Sequence, residues 1–145
     1  MSIKVGINGF GRIGKNVLRS WLEREDKGGL EIVAINSTSG PEKHAHLFKY
    51  DSLYGILPYE IKATENSLIV GERELAFTAY RDPAEIPWKD LGVDIVIESS
   101  GKFRDGESCN KHISAGARKV IITAPGKDED KTIVMGVNHQ EYNSE

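Results

Sequence analysis

At 145 residues, with 39% hydrophobic and 28% charged side chains, the chain suits a single globular domain that can bury a core of its own. A formal net charge of -3, with no run of Lys or Arg to offset it, leaves no electrostatic case for nucleic acid, and no apolar stretch approaches membrane-span length. The one cysteine, Cys109, excludes an internal disulfide and a cysteine-built metal site, and the absence of a leader pattern makes a reducing, cytoplasmic setting the expectation.

In chain order, Ile3 to Asn8 alternates apolar and polar residues and reads as a strand. Gly11 to about Glu25 reads as a helix, with Ile13, Val17, Leu18, Trp21 and Leu22 on one face and Gly28-Gly29 as its stop. Leu30 to Asn36 is a second strand. A polar turn, Ser37 to Gly40, leads into a helix from Pro41 to about Tyr50, with Ser39 and Glu42 spaced as a capping box. Three short strands follow, Tyr59 to Thr64, Ser67 to Val70 and Arg73 to Ala79, a small antiparallel excursion with Glu65-Asn66 and Gly71-Glu72 as turns. The α/β rhythm returns with strand Val93 to Glu98, a helix from Gly106 to Ala115 capped by Asp105 and stopped by Gly116, and strand Lys119 to Thr123. A charged turn, Lys127 to Lys131, precedes an apolar run, Thr132 to Val137, and a polar tail that hints at a piece of a longer chain. Strands alternating with helices predict a doubly wound, mostly parallel α/β sheet.

Gly9, Gly11 and Gly14 form G-x-G-x-x-G, a weak signal alone but a stronger one between a strand and an amphipathic helix. There Gly9 permits the tight turn, Gly11 lets backbone approach a pyrophosphate, and Gly14 lets helix pack on strand. Backbone N–H groups of the Phe10–Ile13 stretch then face the phosphates with the helix dipole behind them, the Rossmann arrangement. The plainer reading is a glycine-rich connecting turn. Arg12 is disfavoured at a positive helix end, a conflict that a phosphate nearby would resolve.

Beyond that motif, Lys4 to Gly14 resembles the opening of phosphorylating glyceraldehyde-3-phosphate dehydrogenases. So do His46-Leu-Phe-Lys-Tyr-Asp-Ser52 with Gly55, Glu98-Ser-Ser-Gly-Lys-Phe103, Ala115-Gly-Ala with Lys119 to Pro125, and Gly136-Val-Asn-His139, all in the family's order. Trp21-Leu22, Thr123 to Lys127 and Val134 to Gln140 look closest to the cyanobacterial and plastid branch, which adds a plastid as an alternative location. Erythrose-4-phosphate dehydrogenase, a cousin, usually differs at Glu98-Ser-Ser-Gly. The resemblance implies that Arg12 and Ile13 offer backbone N–H groups to the pyrophosphate and that Arg81 lies beside the adenine. It places Ser99, Ser100, Gly101 and Phe103 along the nicotinamide-side ribose, with Thr123 at the end of the next strand. For Ser100 and Thr123, simple strand-end capping is the alternative. The family is homotetrameric and uses NAD or NADP.

After the second strand NAD-specific members carry Asn-Asp, whereas this chain has Asn36-Ser37, about twenty residues past Gly14, where the ribose reader belongs. An acid there repels a 2′-phosphate. Ser37, Thr38 and Ser39 instead offer hydroxyls, and Arg81 offers charge, so tolerance of NADP is expected; helix capping by those hydroxyls is the alternative. The family's nucleophilic cysteine lies in a segment beyond Gly136-Val-Asn-His139 that these residues do not include. Cys109 reads as a small buried hydrophobe in step with Ile113. His44, His46, His112 and His139 show no metal spacing. The expectation is a 1–145 dinucleotide-binding domain without a catalytic domain, which binds cofactor and does not turn over. A stand-alone dinucleotide-binding module is the competing reading.

Overall fold

The computed structural model describes residues 1–144. Among these described residues, nine strands and three α-helices run in the order β1 (Ile3–Asn8), α1 (Arg12–Glu23), β2 (Leu30–Asn36), α2 (Pro41–Lys49), β3 (Tyr50–Asp51), β4 (Gly55–Ile56), β5 (Ile61–Ala63), β6 (Ser67–Val70), β7 (Arg73–Thr78), β8 (Ile95–Glu98), α3 (Gly106–Ser114) and β9 (Lys119–Ile122). Seven strands form one sheet in the order β5-β6-β7-β2-β1-β8-β9, and β3 pairs with β4 in a small separate ribbon. From β7 to β9 every pairing is parallel, and β5, β6 and β7 pair antiparallel. The predicted excursion is therefore continuous with the main sheet, because its last strand lies alongside β2. The chain leaves β1 for β2 on one side and β8 on the other, so the sheet reverses direction of winding at β1, a switch point where such sheets take ligands.

Strand alternation sends side chains to two cores. Val5, Ile7, Ile32 and Ile35 join Leu18, Trp21 and Leu22 of α1 and Phe48 of α2 on one face, while Ala34, Trp88 and Val96 pack on the other. Ile32 and Ile35 share a face despite odd spacing because the β1–β2 register shifts between Val5 and Gly6. Gly6 is needed on the opposite face: a Cβ there would stand 2.6 Å from the Trp88 ring. Arg19, in the middle of α1, is buried and donates to the Phe48 carbonyl at 3.1 Å, a cation at the carboxyl end of α2.

Several expectations change in detail. No side chain caps α2, whose N-cap is Gly40, so the Ser39–Glu42 capping box does not form; Pro41 does hold the first position. Asp105 caps α3 as expected, its Oδ1 accepting from the Ser108 N–H at 2.8 Å. Ile13 and Ile113 are exposed rather than on buried helix faces, and the apolar run at Val134, Met135 and Val137 lies exposed outside any strand. No helix among the described residues is long and apolar enough to cross a membrane.

Candidate functional site

Each parallel strand ends in a polar residue or hands over to one, and the main-chain ladder continues one step past the strands. Gly9 N–H donates to the Asn36 carbonyl, Ser37 N–H to Thr78, Ser99 N–H to Asn8 and Thr123 N–H to Glu98, at 2.8 to 3.1 Å. The carboxyl ends of β7, β2, β1, β8 and β9 are thereby held level. Beneath them runs a buried side-chain relay. Trp88 Nε1–H donates to His112 Nδ1 at 2.9 Å, which leaves the ring proton on Nε2 to donate to Glu98 at 2.7 Å. From the other side Thr78 donates to Asn36, Asn36 to Asn8 and Asn8 to Glu98, at 2.8, 2.8 and 2.6 Å. Glu98 also accepts the Ser100 N–H at 2.8 Å, so donors from both halves of the sheet converge on its carboxylate. Sequence reasoning missed Asn8, Glu98, His112 and Trp88. The readable signal was a polar residue closing each apolar strand.

The glycine loop sits on this platform. Gly9 has φ +90°, and a Cβ there would lie 2.5 Å from the Ser100 backbone; one on Gly14 would lie 2.2 Å from the Gly9 carbonyl. Ser99 Oγ donates to that same carbonyl at 2.6 Å, tying β8 to the loop. A Cβ on Gly11, by contrast, would meet nothing within 4 Å. Gly11 is the N-cap of α1, no side chain caps the helix, and its first turn carries no acid. The open N–H groups, the dipole and the clear space at Gly11 make a cradle fitted to a pyrophosphate.

The predicted site residues fall around that cradle with different side-chain duties. Phe10 is buried, its ring 5.5 Å from those of His44 and Phe48, so only its backbone faces the loop. Arg12 pairs with Asp51 and lies over the Tyr54 ring at 5.5 Å, so a carboxylate faces its charge at the helix end. Asp51 also accepts the Tyr54 and Leu53 N–H groups, which, ahead of Arg12, lower its pKa. The Asn36 side chain is fully engaged in the relay and with Tyr80. Ser37 is half-buried and bonded to His44, Thr38 is exposed, and Arg81 is exposed beyond β7. Ser100 Oγ accepts the Lys102 N–H at 3.2 Å and Thr123 Oγ1 donates to the Glu98 carbonyl at 3.2 Å, the capping duties weighed for both. Gly101, with φ +74°, is exposed, and the Phe103 carbonyl accepts from the Cys109 thiol at 3.5 Å. Cys109 is buried, and burial together with the Glu98 and Asp105 carboxylates pushes its thiol up to about 11. Among the described residues no cluster of His, Cys, Asp or Glu could hold a metal.

A doubly wound sheet with an open, glycine-lined helix N-terminus at its switch point defines a dinucleotide-binding domain. The family described as glyceraldehyde 3-phosphate dehydrogenase, NAD binding domain, matches residues 3–106. Similar over nearly the whole chain are glyceraldehyde-3-phosphate dehydrogenase of Geobacillus stearothermophilus (51% identity, 98% of this chain, 42% of the relative) and glyceraldehyde-3-phosphate dehydrogenase 2 of a Nostoc species (51%, 97% and 42%). The chloroplastic A form of Zea mays is 48% identical, over 97% of this chain and 35% of its own length. The chain belongs to the glyceraldehyde 3-phosphate dehydrogenase family, and it carries that family's NAD-binding domain. These matches do not favour the erythrose-4-phosphate relative. The chain spans about two-fifths of the length of the bacterial relatives it matches.

Proposed function

We propose that this domain binds NAD or NADP across the carboxyl ends of β1, β2, β8 and β9, as the cofactor-binding part of a phosphorylating glyceraldehyde-3-phosphate dehydrogenase. The observation that carries the reading is the uncapped α1 N-terminus with clear space at Gly11, set on a level platform of strand ends. The pyrophosphate would lie against the backbone of Gly9 to Ile13, with Ser37 and Thr38 at the adenosine ribose and Arg81 beside the adenine. Ser100, Gly101, Phe103 and Thr123 would border the nicotinamide ribose. Ser99 would act through the loop, since its hydroxyl is committed to Gly9. Bound dinucleotide supplies a hydride acceptor; these residues bind and orient it.

The reaction of the whole enzyme needs a thiolate that attacks the aldehyde. Cys109 does not suit that role, being buried and held in its thiol form. The 1–145 domain alone is therefore expected to bind cofactor without aldehyde oxidation, with catalysis and tetramer assembly depending on the part of the family's chain that it does not span. A cytoplasmic or plastid setting accords with the bacterial and chloroplastic relatives. Equilibrium titration with both dinucleotides tests the binding reading. NADP is expected to bind within about a hundredfold of NAD, and Ser37→Asp to shift preference toward NAD by about tenfold or more through repulsion of the 2′-phosphate. NADP binding weaker than that limit in the parent chain contradicts the NADP part.

A further inference from the structure

The Ser37 hydroxyl belongs to a relay built from three elements. Its Oγ lies 2.8 Å from Nε2 of His44 in α2, and Nδ1 of the same ring lies 2.8 Å from Nζ of Lys15 in α1. Lys15 also donates to the Phe10 carbonyl and sits over the Phe10 ring, 4.7 Å from its centroid. The polarity of the relay follows from its cationic end. An ammonium has only donors, so His44 Nδ1 must accept, and the single ring proton is placed on Nε2. Nε2 therefore donates to Ser37, whose oxygen is the acceptor and whose own proton is turned away from the ring. The ring cannot swing freely: it lies against Phe10 and Phe77, with centroids at 5.5 and 5.7 Å.

The electrostatics agree with that assignment. Burial, then the Lys15 and Lys43 charges, lower His44 to about 4, so the ring carries one proton at neutral pH. Burial and Lys43 lower Lys15 to about 8, which leaves it charged at pH 7. The charged neighbour that acts on both members of the pair is a cation, Lys43.

We infer that Lys15 and His44 are positioning residues for cofactor choice: they fix the Ser37 hydroxyl as a hydrogen-bond donor, backed by positive charge, and so favour a phosphate over a hydroxyl at the ribose 2′ position. The inference rests on the cofactor-binding reading above. A carboxylate at position 37 would accept the His44 Nε2–H hydrogen bond and present only acceptors; serine converts the same scaffold into a donor.

Two measurements on the full 145-residue chain decide it. In ¹⁵N NMR of the imidazole nitrogens at pH 7, His44 is expected to show an unprotonated Nδ1 and a protonated Nε2; the opposite tautomer overturns the relay whether or not a dinucleotide binds. In titrations with NAD and NADP, His44→Leu and Ser37→Ala are each expected to lower the NADP-over-NAD preference by about five- to tenfold. His44→Gln, whose amide can accept from Lys15 and donate to Ser37, is expected to stay within about twofold of the parent ratio. A ratio unmoved in both His44→Leu and Ser37→Ala, with binding intact, overturns this inference alone. Failure of the parent chain to bind either dinucleotide overturns the cofactor reading and this inference together. Should His44→Leu not fold, Ser37→Ala, His44→Gln and the tautomer still decide.

Discussion

Glu98 accepts from Asn8, His112 and Ser100 while buried at the end of β8, so every donor around it is aimed at a carboxylate. An amide in its place sets an N–H against at least one of those donors, leaving buried groups unpaired. Glu98→Gln is accordingly expected to destabilise the domain by about 2–4 kcal/mol, read as a lower urea midpoint at constant slope. An unchanged midpoint shows that the donors do not converge on this side chain. Cys109 makes the complementary statement about reactivity. With its thiol near 11, only about one molecule in a thousand is thiolate at pH 8, and burial restricts access further. Native protein is expected to react with an aromatic disulfide reagent at least a hundredfold more slowly than urea-unfolded protein, roughly; rapid native labelling contradicts its placement.

The glycine loop and α1 show how one motif divides its work between binding and folding. Gly14→Ala forces a methyl toward the Gly9 carbonyl backbone and is expected to cost about 2–4 kcal/mol of stability, whereas Gly11→Ala meets open space and is expected to change stability by less than about 0.5 kcal/mol. Thermal melts of the two variants check this, and equal losses in both contradict it. Most of the elements were legible because each carries its own periodicity: β1 and β2 match their predicted bounds, and α3 starts at its Asp105 cap. What was not legible depends on neighbours distant in sequence. Nothing local singles out Gly6 within β1; the need for glycine there comes from Trp88, far along the chain, which fills the space above it. Phe10 reads as a loop residue beside phosphate until Phe48 and His44 close around its ring. The glycines and Ser37 were visible as candidate site residues, but the duties of Asn8, Asn36 and Glu98 were not, since a hydrogen-bond relay across four strands leaves no local pattern beyond polar strand ends.

At the scale of the whole molecule, the pH dependence of stability follows from groups that lose protons more readily when folded. His44 is lowered from 6.5 to about 4, so between those values the unfolded chain takes up a proton that the native ring refuses. Stability present above pH 6.5 is lost as pH falls toward 4. The lowered carboxyls of Asp51 and Asp105 act with the same sign, and their contribution goes as pH falls below the usual carboxylate range. Urea unfolding from pH 7 to 3 is expected to show both falls, with His44→Gln flattening only the upper one; an unflattened profile assigns that slope elsewhere. The central claim is that the glycine cradle at the sheet's switch point holds a dinucleotide pyrophosphate. Calorimetric titration of the parent chain and of Gly11→Val with NAD and NADP tests it most directly. Saturable one-to-one binding by the parent, weakened by about tenfold or more in a Gly11→Val variant that melts as the parent does, is the predicted result. Equal binding by both proteins, or none by either, contradicts it.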